Sequence, residues 1–195
     1  MESVNFAAKY LEDSIAVKAA LLEDSARMAS IARVADSLVE TYQKGGKLLI
    51  AGNGGSAGDA QHIAAEFVSR FFFDRPGLPA LALTTDTSML TAIGNDYGFE
   101  NLFSRQVQAQ GQSGDMFIGI STSGNSKNVI KAIEAAKSKG ILTVALCGAG
   151  GALASLADVA IQAPSESTPY IQECHICIGH IICAIVEERL FSDDR

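Results

Sequence analysis

An α/β domain built on a parallel sheet is the fold the sequence predicts, and three observations carry that expectation. From Lys47 onward a short apolar run, a turn and a helical pattern follow one another four times. The apolar runs are uninterrupted, as in strands buried on both faces. The turns that leave them are rich in Gly, Ser or Thr. Alternation of this kind is what a parallel sheet with crossover helices requires.

The elements follow in order. Ahead of the first strand, apolar residues recur at helical spacing from about Asn5 to Gln43, with Leu11, Ile15, Ile31, Val34 and Leu38 among them. Asp24-Ser25 reads as a cap between two helices. Leu48–Ala51 is the first predicted strand and ends in Gly52-Asn53-Gly54-Gly55-Ser56, where a helix begins near Ala57. Pro79–Leu83 is the second strand, followed by a short helix. Met116–Ile120 leads through Ser121-Thr122-Ser123-Gly124-Asn125-Ser126 into a helix over Lys127–Lys139. Ile141–Leu146 and Asp158–Ile161 complete the sheet, and a helix from about Pro169 to Phe191 closes the chain. With 195 residues and no linker, repeat or low-complexity tract, the chain is expected to be one domain over 1–195. Residues 1–45 form a helical extension within it, suited to packing or oligomerisation.

Composition excludes several functions. Fifteen Lys and Arg against 22 Asp and Glu leave a net charge of −7, and the pI is near 4.9. Nucleic acid and anionic membranes both call for a cationic face, so neither is an expected partner. An anionic ligand must then be held by local dipoles and hydrogen bonds. Trp is absent and aromatics are 7% of residues, too few for a base-stacking platform. The four cysteines are too sparse for a disulfide scaffold. The start of the chain lacks a signal-peptide pattern, and the apolar stretches stop short of the ~20 residues of a membrane span. A reduced, cytoplasmic protein is the simplest expectation.

Two strand-to-helix loops suit a phosphate. In Gly52–Ala57 the glycines let backbone approach an anion, and the following helix offers free N–H groups and a positive dipole end. Gly54, Gly55 and Ser56 are the binding candidates there. In Ser121–Ser126, four of six residues carry hydroxyls, so Ser121, Thr122, Ser123 and Ser126 offer donors without any cation. Either loop alone reads equally well as a tight connection or a helix cap; two at one sheet edge favour an anion site. The Gly52–Ala57 segment also imitates a dinucleotide fingerprint. That motif needs an acidic residue about 20 residues on, at the end of the next strand. The one in the equivalent place, Asp86, is more than 30 residues on, so no nucleotide cofactor is expected.

Proton-transfer candidates lie on two helices. His62 and Glu66 are one turn apart and share a face, where burial among apolar neighbours would raise the carboxyl toward the range useful for a base. The same spacing suits two metal ligands or an exposed ion pair. On the last helix, periodicity puts Glu173, Cys177 and His180 on one stripe and Gln172 about 80° away. Periodicity alone therefore pairs His180 with Glu173. The cysteines there read as small core residues, and His175 as a satisfied interior or interface histidine rather than a ligand.

Taken together, Ala51–His62, the Ser121–Ser126 loop and Ile171-Gln172-Glu173 resemble the sugar isomerase (SIS) domain family, and within it the phosphoheptose isomerases. Gly94-Asn95-Asp96-Tyr97-Gly98 and Phe103-Ser104-Arg105-Gln106-Val107 extend the resemblance along nearly the whole chain. It implies a three-layer, flavodoxin-like fold and an aldose–ketose isomerase that converts sedoheptulose 7-phosphate to D-glycero-D-manno-heptose 7-phosphate. That reaction would open the route to the ADP-heptose of lipopolysaccharide core. By the same resemblance Ser56, Ser121, Thr122, Ser123 and Ser126 grip the phosphate, and Asn53 and Asp96 touch the sugar. Glu66 is then the base and His180 the acid. One Zn²⁺ per subunit would be held by His62, Glu66, Gln172 and His180, against the stripe argument for Glu173. A carboxylate committed to zinc is a poorer base, which sets the two roles of Glu66 in tension. The family is typically a homotetramer with active sites at subunit interfaces. The rival reading is a non-catalytic relative of the DnaA initiator-associating type. In that relative the positions matching Glu66 and His180 are not an acid–base pair, so their presence here favours an enzyme.

Overall fold

The computed structural model describes residues 2–192, so the ends of the expected 1–195 domain lie outside the described residues. Two helices come first, α1 (Ser3–Glu23) and α2 (Ser25–Gln43). Asp24 separates them and caps the second by accepting from the amides of Ala26 and Arg27, each at 3.0 Å. The five strands are β1 (Leu48–Gly52), β2 (Ala80–Ala82), β3 (Met116–Ser121), β4 (Leu142–Cys147) and β5 (Val159–Gln162). All pair in parallel in the order β2-β1-β3-β4-β5, the flavodoxin-like arrangement, with order reversing between β1 and β3.

Every residue of β1 and β3 is buried, which explains their unbroken apolar runs. Alternate residues feed opposite faces. Leu48, Ile50, Met116, Ile118 and Val144 join α2, α3 (Gly55–Val68) and α8 (Thr168–Phe191) in one core. Leu49, Ala51, Phe117 and Ala145 join α5 (Leu102–Gln110) and α6 (Lys127–Ser138) in the other. Helix, sheet and helix thus stack in three layers. Between β2 and β3 the structure holds α4 (Thr87–Tyr97), a 3₁₀ turn (Phe99–Asn101) and α5, where the sequence reading placed one short helix. Gly98, at φ +85°, makes the break that the apolar pattern did not reveal. The one-turn helix α7 (Leu153–Leu156) links β4 and β5. No helix among the described residues is long and apolar enough to cross a membrane.

Parallel strands put all their carboxyl ends at one edge of the sheet. The Gly52–Gly55 and Ser121–Ser126 segments therefore meet there, on either side of the switch point. The opposite edge is fastened by carboxylates. Asp115 is fully buried and accepts from the amides of Lys47 and Gln112 and from the Lys47 ammonium.

Candidate active site

At the switch point Asn53 and Asn128 exchange side-chain hydrogen bonds, Nδ2 of each donating to Oδ1 of the other at 2.9 and 2.8 Å. This amide pair ties the loop after β1 to the start of α6. Asn128 was not legible in the sequence, because nothing local distinguishes an Asn in a helix's first turn. Gly54 opens α3 at φ +56°, a conformation that a side chain would strain. Gly54 supplies no side-chain cap to α3, and Ser126 supplies none to α6. Asp24 and Asp86, by contrast, cap α2 and α4 with their carboxylates.

The Ser121–Ser126 loop is pinned from within. The buried Ser121 donates through Oγ to Ser126 Oγ at 2.9 Å, and the Gly124 amide donates to the Ser121 carbonyl. Gly124 sits at φ +66°, where an added Cβ would collide with the Gly150 carbonyl. Asn125 braces the loop from outside, accepting through Oδ1 from the Ala152 amide at 3.1 Å. Two cavities flank it. One, of about 590 Å³, is lined by Asn53, Ser126, Asn128 and Phe99; the other, of about 280 Å³, by Thr122, Ser123 and Glu166.

A second constellation occupies the face shared by α3 and α8. His180 Nε2 lies 3.0 Å from His62 Nε2, and His62 Nε2 lies 3.1 Å from Glu66 Oε1. The ligand atoms of all three fall within 4.8 Å of one another. Two imidazole nitrogens and a carboxylate oxygen form a donor set that fits Zn²⁺ with a coordination position left over. Phe71 packs against the His180 ring at 5.5 Å. One turn earlier on α3, Asp59 has a carboxylate oxygen that is buried without a partner. Burial raises this carboxyl to about 6, with His62 opposing the shift.

Several expectations change here. Glu66 is half-buried rather than enclosed by apolar groups, because Ile63, Ala64 and Phe67 turn to the core instead. Glu173 does not join His180. Its carboxylate is taken by Tyr10, Ser14 and Lys18 of α1, and those hydrogen bonds hold it down at about 2. Gln172 lies just past the first turn of α8, with its amide against Gly55. Eight residues of helix, about 12 Å of rise, separate it from His180. Asp96 lies near the end of α4, a helix without a buried residue, and accepts from Asn95 at 2.8 Å. It stands two residues before Gly98, which lines the cavity shared with Asn53, Ser126 and Asn128. His175 is interior but not satisfied: neither ring nitrogen has a hydrogen-bond partner. Burial lowers it to about 4, with the nearby backbone of Cys147 opposing. The cysteines are free; Cys147, Cys174 and Cys183 are buried, and Cys177 is half-buried.

Residues 9–163 match the SIS domain family. The chain is 65% identical to a phosphoheptose isomerase of Aneurinibacillus thermoaerophilus, over 94% of its own length and 93% of that protein's. It is 61% identical to phosphoheptose isomerase 2 of Campylobacter jejuni, over 98% and 96%. Among solved structures, a phosphoheptose isomerase from Francisella tularensis superposes with a TM-score of 0.92 at 38% identity, covering 96% of this chain and 100% of that one.

Proposed function

The chain belongs to the SIS domain family and is an isomerase, and from that premise we propose that it interconverts sedoheptulose 7-phosphate and D-glycero-D-manno-heptose 7-phosphate through a cis-enediol. The observation that supports this most is the convergence of a carboxylate and two imidazoles, Glu66, His62 and His180, within 4.8 Å. Moving a carbonyl between C1 and C2 needs one carbon-bound proton removed and returned to the neighbouring carbon. A single carboxylate within reach of both carbons does both transfers, which is the role we give Glu66. His180 relays a proton between the two oxygens, a general-acid task suited to imidazole near neutral pH.

In this reading His62, Glu66 and His180 would hold one Zn²⁺ per subunit, with Glu66 and His180 giving up the ion when they move protons. When bound, that ion would supply a Lewis acid to stabilise negative charge on the substrate oxygens. The phosphate is held by the uncapped starts of α3 and α6 and by the hydroxyls of Ser56, Ser121, Thr122, Ser123 and Ser126. Asn53 and Asp96 contact the sugar, and Gln172 completes the binding side at Gly55.

Glu66 is 11 residues beyond Gly55 on α3, about 16 Å of helix rise. One chain's loop and its own acid–base cluster are therefore far apart for a seven-carbon sugar. We infer a homotetramer whose sites draw groups from neighbouring copies. Exposed Val4, Leu11, Ile15 and Leu22 on α1, and Tyr97 and Phe99 beyond β2, supply the apolar surface for it. The product then feeds ADP-heptose and lipopolysaccharide core synthesis in the cytoplasm.

Incubation with sedoheptulose 7-phosphate, followed by anion-exchange separation of the two isomers, tests the reaction. Appearance of the aldose to a fixed equilibrium ratio is expected, with chelation slowing it and Zn²⁺ restoring it. No aldose, together with capture of DnaA, would place the protein among the non-catalytic relatives instead.

A further inference from the structure

Glu66 stands in the last turn of α3, where backbone carbonyls lose their intrahelical partners and helices fray. Here those carbonyls are taken by one side chain from the following loop. Arg75 donates through Nη2 to the Glu66 carbonyl at 2.8 Å, and through Nη1 to the carbonyls of Phe67 at 2.6 Å, Ser69 at 3.2 Å and Pro76 at 3.0 Å. Its Nε donates to Glu187 Oε1 at 3.1 Å, an ion pair whose side chains are only 2% and 1% exposed. Glu187 lies seven residues after His180 on α8, on the same stripe. Its two oxygens also accept from the amides of Phe71 at 2.8 Å and Phe72 at 2.6 Å. Phe71 is the ring that packs on His180.

We propose that Arg75 and Glu187 are positioning residues for the isomerisation: one buried ion pair sets both the helix turn that carries Glu66 and the aromatic wall that orients His180. The inference rests on the proposed roles of Glu66 and His180. Neither residue touches the sheet-edge loops, so the pair governs the proton-transfer side of the site and not the phosphate side. The fork of the guanidinium is essential to this. Lysine keeps the charge opposite Glu187, but one ammonium cannot serve Glu187 and the Glu66 and Phe67 carbonyls in the same planar arrangement.

The test compares Arg75→Lys, Glu187→Gln and Glu66→Gln, assayed as purified full-length protein with sedoheptulose 7-phosphate, with Tm and hydrogen exchange of the 69–77 peptide alongside. Arg75→Lys and Glu187→Gln should lower kcat roughly 10- to 100-fold, the scale of an ångström-sized misplacement, with KM within about threefold. Both should melt above the assay temperature. Exchange should speed up in peptide 69–77 and stay unchanged over 121–126. A merely stabilising ion pair predicts something else: a lowered Tm, with wild-type kcat per folded molecule and full rescue by Arg75→Lys. That result would overturn the proposal, as would an effect confined to KM. Should Glu187→Gln fail to fold, Arg75→Lys decides alone. If Glu66→Gln is inactive while both clamp variants turn over normally, the clamp fails and the function stands. If Glu66→Gln is fully active, the base assignment fails and the clamp with it.

Discussion

The sheet-edge loops and the α3–α8 face are made by different means. The loops are built from small and hydroxylic residues contiguous in sequence, and their shape is set by backbone: Gly54 and Gly124 at positive φ, Ser121 bonded to Ser126 five residues on. The α3–α8 face is built from side chains over a hundred residues apart, His62 against His180 and Arg75 against Glu187. Backbone and alcohol donors suit a ligand group that keeps its charge throughout the reaction. Converging titratable side chains suit the part of the ligand where protons move. The difference teaches that binding and chemistry in this fold are separable, and each variant below separates them further.

The largest effect is expected from Glu66→Gln, which keeps the shape and removes the proposed base. Turnover should fall about 10³-fold, the middle of the range for a general base, while sugar-phosphate affinity by calorimetry stays within about tenfold. Near-normal turnover would remove the base assignment.

Acid stability comes next. Burial holds His175 neutral at about 4 against 6.5 for a free histidine. The unfolded chain therefore takes up this proton first. The stabilisation is complete above pH 6.5 and is lost as pH falls toward 4, by about 3 kcal/mol. Glu187 adds to the loss at lower pH. Burial alone would raise its carboxyl, but the amides of Phe71 and Phe72 and the Arg75 guanidinium outweigh it and hold it below the ordinary value of 4.5. Denaturant melts from pH 7 to pH 4 should show the decline, and His175→Leu should flatten its upper part. An unchanged slope in that variant would mean that His175 is charged or hydrated in solution.

Ser123→Ala should have the smallest effect, a rise in KM of about tenfold with kcat within threefold, because a phosphate contact acts equally in ground and transition states. A loss in kcat at constant KM would move Ser123 from the binding side to the chemical one.

The same division governs what the sequence revealed. The parallel sheet, its strand ends and both loops were readable because each depends on a local run: five buried residues in β1, six in β3, and the small residues that follow them. The pairing of His62 with Glu66 was readable because it is one helical turn. Asn128, Phe71, Arg75 and Glu187 were not, since their roles arise only when α3, α6, α8 and the 69–77 loop meet. Helical periodicity misled at Glu173, whose partners Tyr10, Ser14 and Lys18 come from α1 and draw it away from His180. It could not foresee Gly98 either, where a positive φ splits one helix into two. His175 looked satisfied because interior histidines mostly are.

NMR of sedoheptulose 7-phosphate with the purified protein in D₂O tests the proton-transfer claim most directly. The account predicts that the aldose forms with solvent deuterium entering at C2, and that Glu66→Gln slows both aldose formation and exchange about 10³-fold. Aldose formed by the Glu66→Gln protein at the wild-type rate, with the same deuterium content, would contradict it.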